Sequence, residues 1–380
     1  MVFFLNIESN SIVVVVVVVM VVGSAGFEPA ASSAQGWHHT KLDNDPSEKY
    51  LQRALYQSII LSFVRGCMHI YYLVYYFFIH IYMNFFDCYQ QAGKVAAEVR
   101  ENTRKKYHVG SALLQICESI ENEIKSRGAE PAFPVNVSLN DIAAHYTAEP
   151  DDQITVKDGD VLKIDIGVHI QGYIADTAVT VCYNPKYEAL VKSTEMALTE
   201  AARIAKANTK ASDIGKMIEN TISKQGFRPI QNLSGHSLKQ YTIHAGKSIP
   251  NIWTIGSSFS LVVNEAYAIE PFATTIDGQG VVYEGNIRNI FGINSRKPTK
   301  DKEVDEFLEL IWNRFKTLPF ALRWIIDKYE EKKARQLMEI LIKKRNIHAY
   351  PILVEGKGKV VAQAEHTLIP SDTLSNIITM

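Results

Sequence analysis

Two stretches of this chain match at a fixed offset of 98 residues: Ile116, Ile120, Glu121, Asn122, Ile124, Gly128 and Pro131 recur as Ile214, Ile218, Glu219, Asn220, Ile222, Gly226 and Pro229. The isoleucines keep helical spacing up to the glycine. Gly128 and Gly226 would each end a helix, and the prolines would turn the chain into a strand. The economical explanation is a duplicated helix–helix–strand unit, with coincidence between amphipathic helices as the alternative. Helices are expected near residues 92–106 and 111–127, and again near 187–206 and 211–225, each pair followed by strand-like runs. The fold class is therefore α/β.

Among the 380 residues, 47% are hydrophobic, enough for one or two ordinary cores. Forty basic residues against 41 acidic ones leave no bulk field to draw in nucleic acid or an anionic membrane. The four cysteines, Cys67, Cys88, Cys117 and Cys182, form no CxxC pair and are too few for a disulfide framework, which fits a reducing cytoplasm.

The first ninety residues are atypical. The apolar run at 13–22 (VVVVVVVMVV) is too short to span a bilayer, and no basic region precedes it as a secretory signal would require. A second apolar stretch at 58–86 is long enough, but Arg65, His69 and His80 argue against a membrane span. Tyr56-Gln57 before it is echoed by Tyr89-Gln90 at its end, the mark of an insertion. Removing 58–90 joins SEKYLQRALYQ to QAGKVAAEVRENTRKK in one helical pattern with Ser47 as N-cap. Much of 1–90 then reads as a gene-prediction artefact, and 91–380 as the catalytic domain. Within it, residues 302–345 (DKEVDEFLELIWNRF, LPFALRWIIDKYEE and ARQLMEILIKK within 301–344) look like a helical insertion, a subdomain of about 300–347. Strand character resumes at 349–369, with Gly356 and Gly358 at a hairpin turn.

The candidate chemistry begins at KIDIGVHIQGYIADTAVTV, two alternating strands joined near Gln171-Gly172. A tight turn would set Asp165 opposite Asp176. Two carboxylates that close repel unless a cation or a proton lies between them. A solvated turn position for one of them is the alternative, but their flanks, Ile164, Ile166, Ile174 and Ala175, make solvation hard. His236 and His244 follow in NLSGHSLKQYTIHAG. Glu270 (AYAIEPFAT) and Glu365 (VVAQAEHTLI) sit in apolar strand-like runs, where a glutamate is costly unless neutralised, paired or ligating. Two Asp, two Glu and one His make the donor set that two divalent cations would need. This set differs from the Cys/His set of a structural zinc site.

In order and context, these clusters resemble the methionine aminopeptidases, from about residue 91 to the end. The resemblance implies a pita-bread fold with pseudo-two-fold halves around a dinuclear site. The 95 residues between Glu270 and Glu365 resemble the type II members, which carry a helical subdomain there. It further implies that Asp165 holds one cation, Asp176 and Glu365 bridge both, and His236 and Glu270 complete the other. The cations would be cobalt, manganese, iron or zinc. Glu270 is similar to the family's proton shuttle, and His145 (in NDIAAHYTAEP) and His244 to its substrate-contacting histidines. Phe133, Ile243 and Tyr350 match the wall of the methionine pocket, with ordinary core packing as the alternative. Arg288 stands where eukaryotic members have a pocket histidine. The implied activity is removal of the initiator methionine from nascent polypeptide N-termini, with preference for a small second residue. A monomer is the simplest expectation, and docking on the ribosome is left open. An Xaa-Pro peptidase of the same fold and an inactive ribosome- or nucleic-acid-binding relative are the competing readings. The long gap before Glu365 and the AFPVNVS and AAHYT contexts disfavour the first, and the five filled ligand positions disfavour the second.

Overall fold

The computed structural model describes residues 2–9, 12–19, 85–255 and 259–380. In the N-terminal unit, β1 (Val2–Ser9) pairs antiparallel with β2 (Ile12–Val19), which carries most of the valine run. The proposed join after Gln57, and most of the 58–86 stretch, lie outside the described residues. Among the described residues no helix is long and apolar enough to cross a membrane.

The second unit opens with α1 (Phe85–Lys106), longer than its expected start at 92, with Cys88 and Tyr89 already buried. Then come α2 (Leu113–Ser126), β3 (Glu130–Pro131), β4 (Asn136–Leu139), β5 (Ile142–Ala144), β6 (Val161–Ile170) and β7 (Tyr173–Cys182). The second half repeats the opening with α3 (Glu188–Ile204), α4 (Ala211–Lys224), β8 (Arg228–Pro229) and β9 (Ser234–Leu238). The offset of 98 holds at both ends of the repeated helix, since 113 and 126 become 211 and 224. It holds for the two short strands as well. Gly128 and Gly226 take φ of 77° and 81°, the left-handed conformation that ends a helix at little cost to glycine. Ile116, Ile120 and Ile124 are buried in one core, and Ile214, Ile218 and Ile222 in another. Each such side chain contributes about 1.5–3 kcal/mol on burial.

The remaining strands are β10 (Ser248–Pro250), β11 (Ala266–Ile269), β12 (Phe272–Thr274), β13 (Val282–Glu284) and β14 (Ile290–Ile293). After α5 (Lys302–Phe315) and α6 (Glu331–Lys343) come β15 (Ile347–Tyr350), β16 (Leu353–Glu355), β17 (Val361–Gln363), β18 (His366–Ile369) and β19 (Asn376–Ile377). In the first half, β6 pairs antiparallel with β3, β4 and β7. In the second, the sheet order is β10-β9-β11-β18-β19. The turn at Gly358 forms, with Gly358 N–H donating to Glu355 O at 2.9 Å. It does not make the expected hairpin, because β16 pairs with β13 and β5 while β17 pairs with β12.

The helical insertion grows from the β14–β15 pair and has its own core around Phe307, Ile311, Phe320 and Leu341. Asp301 caps α5 by accepting from Glu303 N–H and Val304 N–H. The LPFALRWIIDKYEE segment, expected to be helical, forms only a 3-10 turn at Leu322–Trp324. Phe320 exchanges two 2.8 Å backbone bonds with Phe291, which holds the chain extended just before that turn. Glu330 then caps α6 and closes the segment.

The repeated glutamate does different work in the two halves. Glu219 accepts from Trp253 N–H at the surface. Glu121 is buried, accepts from Val135 N–H (3.1 Å) and Trp324 Nε1–H (2.7 Å), and pairs with the Arg323 guanidinium. Arg323 also donates to Ala148 O at 2.9 Å, so one ion pair fastens the insertion to the first half. Glu121→Gln leaves that guanidinium buried without its counter-charge. It is expected to cost about 3–5 kcal/mol, read as a lower midpoint in urea unfolding.

Candidate metal centre

Gln171 and Gly172, with φ of 52° and 87°, form the two-residue turn between β6 and β7. Positive φ at both positions is the geometry that matches strand twist in a hairpin. The turn sets Asp165 against Ala178 and Asp176 against Gly167, so the two aspartates are diagonal neighbours and not the direct pair expected. They remain on one face, within reach of each other. Opposite Asp176, a Cβ on Gly167 would lie 2.2 Å from the Phe133 ring, so only glycine lets that ring rest on the hairpin there.

Glu270 and Glu365 lie not within strands but at the breaks between β11 and β12 and between β17 and β18. The registers on either side agree: Tyr267 pairs with Leu368 and Thr274 with Val361, both summing to 635, as do 270 and 365. The two glutamates therefore oppose each other in one interrupted antiparallel pair. Pro271 has no N–H to give the ladder, which accounts for the break on its side. Across the gap, Glu365 pairs instead with Ala178 of β7, by backbone bonds of 3.3 and 3.4 Å. The hairpin bearing the aspartates is thus joined to the pair bearing the glutamates.

His236 comes from β9, where a Cβ on the preceding Gly235 would lie 2.2 Å from Ala268 O. Its Nε2 is 3.4 Å from Glu270 Oε1 and 3.7 Å from Asp176 Oδ2. Asp176, His236 and Glu365 offer ligand atoms within 4.8 Å of one another. Burial pushes Asp165 up to about 7. Asp176, Glu270 and Glu365 are raised well above the usual carboxylate range, first by burial and then by neighbouring carboxylate charge, that of Asp165 in every case. Burial and nearby His244 hold His236 down to about 3, so its imidazole is neutral and can ligate. Asp165 Oδ1, Asp176 Oδ1 and His236 Nδ1 are buried without a hydrogen-bond partner. Such a mutually repelling, under-bonded, oxygen-rich set fits divalent cations.

His145 has φ of 68°, and its N–H donates to Asn136 Oδ1 at 2.9 Å. Its Nδ1 lies 3.2 Å from Pro351 O, which can only accept, so Nδ1 carries the proton and Nε2 is left as an acceptor. Burial, with His244 adding to it, lowers its pKa to about 4. The His244 ring meets that of His236 edge-on at 4.5 Å. Phe133, His145, Ile243, His244 and Tyr350 line one cavity of about 410 Å³ together with all five candidate ligands. Arg288 is not among the residues lining it and pairs with Glu284 at 3.0 Å, while Ile290 does line it. Sequence reasoning missed Asn136 and Gln363, whose Nε2 reaches Glu365 Oε2 at 3.4 Å. Period-two counting back from Glu365 would have found Gln363; Asn136 had no local signal.

With the cations removed, the folded chain holds more protons on these carboxylates than the unfolded chain does between about pH 4 and 7. Its stability from this source therefore falls as pH rises. Thermal melts of metal-loaded and chelator-stripped protein should separate progressively from pH 5 to pH 8; a constant or narrowing gap would contradict the cluster's electrostatics.

The sequence matches metallopeptidase family M24 over residues 87–289. A methionine aminopeptidase of Pyrococcus horikoshii is 43% identical over 279 residues, covering 73% of this chain and 94% of that protein. One from Methanocaldococcus jannaschii is 40% identical, covering 76% and 96%. The structure of Thermotoga maritima methionine aminopeptidase shares the fold at a TM-score of 0.55 and 21% identity, over 76% of this chain and 94% of that one. A thermophilic Arx1 shares it at 0.67 and 16%, over 78% and 91%. With both halves of the fold and the converging donors in view, the chain belongs to the methionine aminopeptidases of metallopeptidase family M24.

Proposed function

We propose that the chain hydrolyses the first peptide bond of nascent polypeptides to release their N-terminal methionine, using two divalent cations. The observation that carries this reading is that carboxylates from both halves and one imidazole converge in a cavity whose other wall is Phe133, Ile243 and Tyr350. Asp165 would hold one cation, Asp176 and Glu365 both, and His236 and Glu270 the other, with manganese, iron, cobalt and zinc all compatible with the donors. When bound, the pair supplies Lewis acidity that acidifies a water and polarises the scissile carbonyl. Glu270 takes the proton on its carboxylate and passes it to the leaving amine. His145, with Nε2 as acceptor, holds the scissile N–H. His244 faces the carbonyl side and steadies the oxyanion. The apolar wall receives the methionine side chain, and the remaining space favours a small second residue.

The test is methionine release from Met-Gly-Met-Met, beside an Xaa-Pro peptide, by metal-stripped protein titrated with manganese or cobalt. Metal-dependent release without Xaa-Pro cleavage is expected. Xaa-Pro cleavage would move the assignment to a prolidase-type peptidase, and no turnover by folded, metal-loaded protein would refute the enzyme. Asp176→Asn and Glu270→Ala should abolish turnover with the fold retained. His145→Ala should lower kcat about 10²-fold or more while leaving metal affinity near wild type.

A further inference from the structure

Behind the metal centre, on the reverse face of the strands that carry it, lies a buried arginine that the chemistry above does not use. Arg100 projects from α1 and is 6% exposed. Its Nη1 reaches three acceptors: Thr177 Oγ1 at 2.8 Å, Thr379 O at 2.7 Å and His366 Nδ1 at 3.0 Å. Thr177 and His366 are the immediate neighbours of Asp176 and Glu365, and strand alternation turns them to the opposite face. The contacts continue in a definite direction. Thr177 Oγ1 donates to Glu365 O at 2.8 Å. Thr367 Oγ1 donates to Asp176 O at 2.8 Å and accepts from Asp176 N–H at 2.7 Å. Thr379 Oγ1 lies 2.9 Å from His366 Nδ1 and accepts from Thr367 N–H at 3.1 Å.

The Glu365 carbonyl is thus held by a side chain bonded directly to the guanidinium, and the Asp176 backbone by Thr367, which is linked to the guanidinium through Thr379. This matters because only two backbone bonds, both long, join β7 to the β17–β18 junction at Ala178 and Glu365. Two carboxylates that repel would otherwise strain that junction apart.

We propose that Arg100 is a positioning residue for the metal centre: by sharing the two N–H groups of Nη1 among Thr177 Oγ1, His366 Nδ1 and the Thr379 carbonyl, it fixes the separation of the Asp176 and Glu365 carboxylates. This rests on the dinuclear reading given above. The role needs arginine, whose planar fork is anchored on its other side by Glu101 Oε1, 3.1 Å from both Nε and Nη2, so that Nη1 is held in fixed geometry, where lysine offers a compact ammonium on a flexible stem.

The experiment is cobalt titration of the metal-free full chain, read by calorimetric affinity and stoichiometry and by the cobalt d–d absorption spectrum, alongside kcat and KM. Arg100→Met should bind cobalt about 10–100-fold more weakly, the usual effect of losing a group that orients ligands. Its d–d spectrum should change, and kcat should fall with KM little altered. Arg100→Lys should recover part of the affinity. Thr177→Val, which keeps the shape but removes the relay, should shift the spectrum in the same direction. Arg104→Met, which removes the neighbouring surface pair with Glu195, should change none of these. Wild-type affinity and spectrum in folded Arg100→Met would overturn the proposal. If that variant does not fold, wild-type behaviour in both Arg100→Lys and Thr177→Val would overturn it equally. Wild-type protein that binds no cobalt would instead refute the dinuclear reading, and this inference with it.

Discussion

Four carboxylates drawn into one buried cluster repel one another, and much of the second unit is arranged to hold them there. No local segment could do this, because neighbouring side chains on one strand alternate faces and only every second residue shares one. The chain solves the problem with two antiparallel pairs. One keeps its ladder continuous through β6 and β7 and offers diagonal aspartates; the other is interrupted and offers opposed glutamates. The interruption is productive, since Glu365 exchanges its missing partner for Ala178 of the first pair. One of the backbone pairings that join the halves therefore lies at the site itself.

This arrangement explains why the site's composition was legible in the sequence while its geometry was not. The four candidate carboxylates announced themselves as charges in apolar runs, and the repeat announced two related halves with helix limits that shift by 98 residues at both ends. Helix spacing and glycine stops are local signals, and α2, α3 and α4 follow them closely. The register of the first hairpin depended on which two residues turn. With Gln171 and Gly172 as the two turn residues Asp165 falls opposite Ala178; opposition to Asp176 would need the turn one residue earlier, at Ile170-Gln171, a two-residue register change that apolar alternation cannot detect because it keeps the same face inward. The opposition of Glu270 and Glu365 depends on strands separated by the whole helical insertion. The extended segment at Phe320 likewise answers to Phe291, not to its own helical periodicity.

The same distinction separates ligands from the residues that support them. Arg100 reads in sequence as one more cation on an amphipathic helix. Its burial follows from the close seat of α1 on the residues just after β19, where a Cβ on Gly93 would lie 2.1 Å from Ile378 O. That approach carries Thr379 O to the guanidinium and turns a surface residue type inward.

The insertion is fastened by a separate device. Ile290 and Pro319 on the cavity wall flank α5 at the insertion's base, while Arg323 and Trp324, a few residues beyond Pro319, are tied to Glu121 of the repeated helix. Glu121 also accepts from Val135 N–H, two residues after Phe133 on the facing wall. One buried carboxylate thereby bonds both the insertion and the segment that follows Phe133 without touching the cation donors. The insertion and the backbone at the candidate metal ligands are thus tied down by different buried charges on different helices, Glu121 on α2 and Arg100 on α1.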